Sequence, residues 1–226
     1  MPKVFLDAGH GGKDPGAVGN GLKEKDLNLT MAKKVGEILT NEYENVTVLY
    51  SRTTDKTVSL KERTDMANKA NSDYFFSIHV NAGGGTGYED YVYNGKIQST
   101  TEANRKIVHD EVVRVLNKYG IRNRGRKRAN FHVLRETKMP AMLVETLFID
   151  NTNDAKFLKN QNFINDISRA YATGIAKALG LKEKPKSQQT GKLYKVQVGA
   201  FSKRENAEKL LKELKKKGYE GFIKVE

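Results

Sequence analysis

The chain has no cysteine. That absence removes disulfide staples, thiolate metal ligands and thiol nucleophiles together, so any metal must be held by histidine and carboxylate. No hydrophobic run approaches the roughly 20 residues needed to cross a bilayer. The opening residues, from Met1 to His10, lead directly into a strand-like segment, with neither the apolar stretch nor the cleavage site of a secretory signal. The expectation is a protein made in the cytoplasm without a signal peptide. Neither the dinucleotide-binding fingerprint nor the Walker spacing is present, and no recognised RNA- or DNA-binding motif occurs, so a nucleic-acid reading would rest on charge alone.

What is present describes a globular chain. Its 226 residues are 38% hydrophobic and 30% charged, enough for one main core and a small appended module. A formal charge of +13 draws the molecule toward a polyanion without choosing among nucleic acid, anionic membrane and cell wall.

Through the first four fifths, short apolar runs alternate with helical periodicity, which predicts an α/β domain with a twisted, mostly parallel sheet of about six strands flanked by helices. The strands are expected at 3–8, 46–51, 74–80, 88–93, 131–134 and 142–148. Three apolar stripes are expected to pack on the sheet: Leu27, Met31, Val35 and Ile38; Val108, Val112, Val115, Leu116 and Tyr119; and Ile164, Ile167, Tyr171, Ile175 and Ala178. Periodicity stops in LKEKPKSQQT, which reads as a linker. The expected organisation is a main domain at 1–180, a linker at 181–191 and a β-α-β module at 192–226. In that module Tyr194, Val196 and Val198 alternate with polar residues. Ser202 and Glu205 fit a capping box, Ala207, Leu210, Leu211 and Leu214 give the helix its apolar face, and Gly218 ends it. The stretch 181–226 holds 13 Lys and Arg against 6 Glu, making it the most basic part of the chain.

Four side chains stand out. His10 follows an apolar strand inside Asp7-Ala8-Gly9-His10-Gly11-Gly12, and His79 ends the run Phe75-Phe76-Ser77-Ile78-His79. Both would lie at the carboxyl ends of core strands, where open α/β sheets place ligands. Each reads as a turn or packing residue or as a ligand. Glu24 begins the first long helix, either as an acid favoured by the helix dipole or as an anionic ligand; His, Glu and His with one open position is a known catalytic zinc set. Glu145 lies inside Ala141-Met142-Leu143-Val144-Glu145-Thr146-Leu147-Phe148-Ile149. A carboxylate in such a strand must be paired, protonated or near a cation, so it is either a partner for Arg63 or Arg135 or a general base beside a metal. Asn81, two residues past His79, is a candidate contact to ligand or substrate. His109 falls on the polar side of a helical stripe and is expected at the surface, and His132 at the start of an edge strand.

Three segments, DAGHGGKDPGAVGNGLKEKDLNL, SRTTDKTVSLKERTDMANKANSDYFFSIHVNA and FHVLRETKMPAMLVETLFIDN, together resemble the zinc-dependent N-acetylmuramoyl-L-alanine amidase family, over about residues 3–179 and in the family's order. The resemblance implies a peptidoglycan hydrolase with one Zn²⁺ per chain, held by His10, Glu24 and His79, and Glu145 as the catalytic glutamate. The tail resembles one repeat of the sporulation-related (SPOR) type, which binds peptidoglycan; a full module has two. An unpaired half-repeat leads to the expectation that two tails pair across molecules. The missing signal is like members released by lysis, such as phage endolysins and mother-cell lytic enzymes. The rival readings are a zinc peptidase or deacetylase acting on another wall amide, and a wall-binding module without activity.

Overall fold

The computed structural model describes residues 1–185, 197–219 and 221–225. The chain divides into two compact units, Met1–Pro185 and Lys186–Glu226.

In the first unit the order is β1 (Lys3–Ala8), β2 (Val18–Gly19), β3 (Leu22–Lys23), α1 (Glu24–Glu42), β4 (Thr47–Tyr50), α2 (Leu60–Lys69), β5 (Tyr74–Asn81), β6 (Tyr88–Tyr93), α3 (Ser99–Tyr119), β7 (Asn123–Ala129), α4 (His132–Arg135), β8 (Ala141–Phe148), α5 (Thr152–Leu158) and α6 (Gln161–Ala178). Six strands form one sheet in the order β4-β1-β5-β8-β6-β7. Every neighbouring pair is parallel except β6 with β8, so the α/β architecture is mostly parallel. The period-2 alternation of the strands sorts their side chains between two faces. Val4, Leu6, Phe76, Ile78 and Val144 join the large core beneath α1, α3 and α6, whose three stripes supply Met31, Val35, Val108, Val112, Ile167 and Tyr171. Phe5, Phe75, Ala141 and Leu143 face the smaller cluster with Ala67, Val133 and Leu134. Asp7, His79 and Glu145 share this second face by alternation.

Three expectations fail here. Residues 131–134 are not a strand: His132 opens the short helix α4, and its Nε2 is buried without a partner among the described residues. The sixth strand is instead β7, NRGRKRA, which has no apolar run to announce it. As an edge strand it needs no buried face, and the ladder to β6 holds it. His109 is not at the surface; it is 8% exposed. The polar side of α3 faces a buried acid on the sheet: Asp90 Oδ2 lies 2.5 Å from His109 Nδ1, and Arg105 Nε donates to Asp90 Oδ1 at 2.6 Å.

The start of the expected linker is built into the first unit. Glu44 N donates to Lys182 O and Lys184 N to Glu42 O, an antiparallel bridge at Tyr43 and Glu183. Residues 186–191, the rest of it, lie outside the described residues, as do Tyr194 and Val196. In the second unit the described residues contain one helix, α7 (Arg204–Lys216), and no strand. Its first residue follows Lys203, with no side-chain cap, so Ser202 and Glu205 do not form the expected box. Gly218 does end the helix, at φ +85°, with Tyr219 N bonding Leu214 O.

Candidate metal centre

Sheet direction brings the site together. β1, β5 and β8 run parallel as adjacent strands, so His10, His79 and Glu145 arrive at the same carboxyl edge. Glu24 comes from α1, whose start is set by the β2-β3 hairpin. That turn, Asn20-Gly21, has both residues at positive φ, 52° and 75°, the geometry of a type I′ turn. Asn20 Nδ2 ties it to Ile149 O beyond β8 at 2.8 Å.

His10, Glu24 and His79 each offer one ligand atom, all within 4.8 Å of one another. Glu24 Oε1 lies 3.2 Å from His10 Nε2 and 3.0 Å from His79 Nδ1. Two lone-pair atoms facing one carboxylate oxygen need a proton or a cation among them. Burial disfavours the charged His10 ring, yet the Glu24 and Asp14 carboxylates overcome this and raise its pKa to about 9. His79 is likewise raised: burial opposes it, and Glu24 and Glu145 outweigh burial. Glu24, which burial alone would push up, is held far below the carboxylate range by both imidazoles. Such a site attracts positive charge strongly, whether protons or metal.

The surroundings hold these groups in place. Asp14 Oδ2 sits 2.8 Å from His10 Nδ1, leaving Nε2 directed at the centre, the carboxylate–histidine arrangement that orients metal ligands. Glu24 accepts from Ala17 N at 2.8 Å and Val80 N at 3.1 Å. Two arginines grip the loop after β1. Arg52 donates to the carbonyls of Ala8 and Gly9, and Arg63 to those of Ala8 and His10. Gly9 has to be glycine, because a Cβ there would lie 2.2 Å from His79 Cε1.

Glu145 has neither of the arginine partners considered from sequence. Arg63 pairs with the buried Asp7 at 2.6 Å, and Arg135 with Glu136 at 2.7 Å. Glu145 Oε2 is buried with no hydrogen-bond partner among the described residues. Burial raises its pKa to about 7, with Glu24 and Glu89 adding to the rise and His79 opposing it. It lies beside His79 across the β5-β8 ladder. There β8 carries an extra residue: His79 pairs with Glu145 but Asn81 with Phe148, and Leu147 takes φ +67°. Bulges of this kind re-aim side chains next to active sites.

The sequence pattern of the N-acetylmuramoyl-L-alanine amidase family matches residues 4–177. The chain belongs to this family. N-acetylmuramoyl-L-alanine amidase CwlM of Bacillus licheniformis is 50% identical over 223 residues, covering 99% of this chain and 85% of that protein. The sporulation-specific N-acetylmuramoyl-L-alanine amidase of Bacillus subtilis is 48% identical, with coverage of 99% and 84%. The endolysin of Bacillus phage SPP1 is 49% identical over 80% of this chain and 67% of its own length. Among solved structures, the catalytic domain of CwlV, an amidase from Bacillus (Paenibacillus) polymyxa var. colistinus, superposes with a TM-score of 0.75 at 35% identity, covering 80% of this chain and all of that one. A SPOR domain pattern matches 167–225, so it begins inside α6, a core helix of the first unit.

This candidate centre in the amidase-family chain has neighbours that the sequence did not single out. Asp14 was legible as a carboxylate four residues from His10. Glu89 and Asp90 are adjacent acids in a strand, pointing to opposite faces, and both are buried, at 3% and 0% exposure; two such acids require cations on both faces. Asn81 contacts Glu89, donating from Nδ2 to Oε1 at 2.9 Å.

Proposed function

We propose that the chain hydrolyses the amide joining the lactyl group of N-acetylmuramic acid to the L-alanine of the stem peptide, with His10, Glu24 and His79 holding one zinc ion and Glu145 moving the proton. The carrying observation is the convergence of two imidazoles and a carboxylate beside an acid whose Oε2 is buried with no hydrogen-bond partner among the described residues. The pairwise spacings of 3.0 and 3.2 Å suit a cation with ligand bonds of about 2 Å, and three N/O ligands with an open position is the donor set of catalytic zinc. Zinc held there would supply Lewis acidity, the means of making hydroxide available near neutral pH and of drawing charge off the scissile carbonyl.

Glu145 takes the proton of the attacking water and delivers it to the alanine nitrogen as the C–N bond breaks, base first and acid second. A pKa near 7 suits both roles. Asp14 and the two arginines keep His10 aimed, and Asn81 joins the His79 strand to Glu89.

The test is metal content with product analysis. Zinc near one per chain is expected, with hydrolysis abolished by EDTA and restored by Zn²⁺. Digested peptidoglycan should show new N-terminal alanine and no new reducing sugar; full activity after exhaustive chelation would sink the metal assignment.

The tail is assigned to wall attachment, as a SPOR-like repeat at 192–226 that a linker joins to the catalytic unit, which extends to Pro185. No helix among the described residues is long and apolar enough to cross a membrane; the enzyme is proposed to reach the wall after release from the cell. Pairing of two tails remains a proposal, which a monomeric sedimentation profile at high protein concentration would remove.

A further inference from the structure

Beyond Glu145 on the same face of the sheet lies a second charged group, built by β6 and β7. Glu89 is directly opposite Glu145 in the antiparallel β6-β8 ladder. Its Oε2 accepts from Arg124 Nε and Lys127 Nζ, both at 2.5 Å, and its Oε1 from Tyr91 Oη at 2.6 Å. Residues three apart in a regular strand point to opposite faces. Here they share one because β7 carries a bulge: Tyr88 pairs with Asn123 but Asp90 with Arg126, and Gly125 takes φ +87°. Arg126 and Arg128 take the other face, where Arg128 pairs with Glu102 at 2.5 Å.

Two cations meet one carboxylate, which leaves a surplus positive charge. Glu89 is sealed in, at 4% side-chain exposure, whereas Arg124 and Lys127 remain 26% and 36% exposed. Aromatic contacts fix both cations: Arg124 lies over the Phe148 ring at 4.9 Å and Lys127 over Tyr91 at 5.9 Å, with Phe131 packed against Tyr91. An exposed, pre-oriented cation pair of this kind suits a carboxylate ligand.

We infer that Arg124 and Lys127 form a specificity site for a carboxylate of the stem peptide, that of the acidic residue following L-alanine. This rests on the amidase reading above. The scale fits: β7 is two strands from β8, roughly 10 Å at about 4.8 Å per strand, and an extended peptide covers about 3.3 Å per residue, so a carboxylate one residue beyond the alanine falls within reach of these long side chains. The N-acetylated glycan has no such charge to offer.

The test compares two soluble muropeptides with the zinc-loaded full-length enzyme. One is N-acetylmuramoyl-L-alanyl-D-glutamate γ-methylamide, with its α-carboxylate free, and the other is the corresponding α-amide, so that the two differ in that one charge. The native enzyme should prefer the free acid about tenfold in kcat/KM, mainly through KM. Lys127→Met leaves Glu89 paired with Arg124 and removes the surplus charge, so the ratio should fall to near one; Arg128→Gln, on the other face, should keep it. A purely structural role would change both substrates alike and leave the ratio unaltered. Equal rates in the native enzyme, or an unchanged ratio in Lys127→Met, overturn the inference and leave the amidase reading standing. Cleavage of neither compound overturns both.

Discussion

Glu145, proposed above to carry the proton, is a residue that costs the fold stability. Its pKa of about 7 exceeds the ordinary 4.5 of a glutamate. Between those values the folded state keeps a proton that the unfolded state releases, so stability falls as pH rises through the window, and the full cost is present above pH 7. Glu145→Gln should therefore lower kcat/KM by about 10²–10⁴-fold while making the metal-free protein more stable at pH 8 by about 1–3 kcal/mol, with little gain at pH 4. Urea unfolding of EDTA-treated protein at both pH values checks this; an equal effect at the two would contradict the assignment. Asp7 is the opposite case. Burial alone would raise its pKa, but Arg63 and Ser77 hold it below the usual range, so it stays an anion. Arg63→Met leaves that anion buried with no cation, its remaining donor being Ser77 Oγ, and frees the His10 carbonyl, while Ala8 O keeps Arg52 Nε. A loss of about 3–5 kcal/mol is expected, read from the urea midpoint at unchanged m-value.

At the scale of elements, the strand ends and their loops decide whether the proposed ligands meet. The loop after β1 is held by arginine donors, and His10 itself sits at φ +60°, a left-handed conformation that costs a non-glycine residue about 1–2 kcal/mol. Gly9 is the closest tolerance in this loop. Gly9→Ala should push the His79 ring off the centre, weakening zinc affinity by at least tenfold in a chelator competition while the circular dichroism spectrum stays native. Unaltered affinity would mean that the ring is not held against the loop. The bulge at Arg124–Gly125 in β7 turns Lys127 onto the face of Arg124, whereas the bulge in β8 lies past Glu145, which reaches the same face by alternation.

For the whole molecule, charge and division into units matter most. The net +13 is spread over both parts, so attraction to an anionic wall should weaken with salt whichever part binds. If the tail supplies attachment, a chain ending at Pro185 should cleave a soluble muropeptide at a rate similar to the full chain but sediment with insoluble wall far less, by about tenfold or more in the bound-to-free ratio. Equal sedimentation of the two would assign wall binding to the first unit.

The local signals in the sequence were enough for the apolar strands β1, β5, β6 and β8, for the three amphipathic stripes of α1, α3 and α6, and for His10, His79, Glu24 and Glu145 as the residues needing explanation. Those signals are hydrophobic periodicity and polar residues where burial is expected, and both are carried by neighbours along the chain. β7, the burial of His109 and the Glu89 cluster were not legible, because polar residues there are satisfied by partners distant in sequence: Asp90 for His109, and Arg124 and Lys127 for Glu89. Only the tertiary structure decided that Arg63 belongs to Asp7 and Arg135 to Glu136 rather than to Glu145, since pairing of buried charges depends on distances that no sequence spacing records.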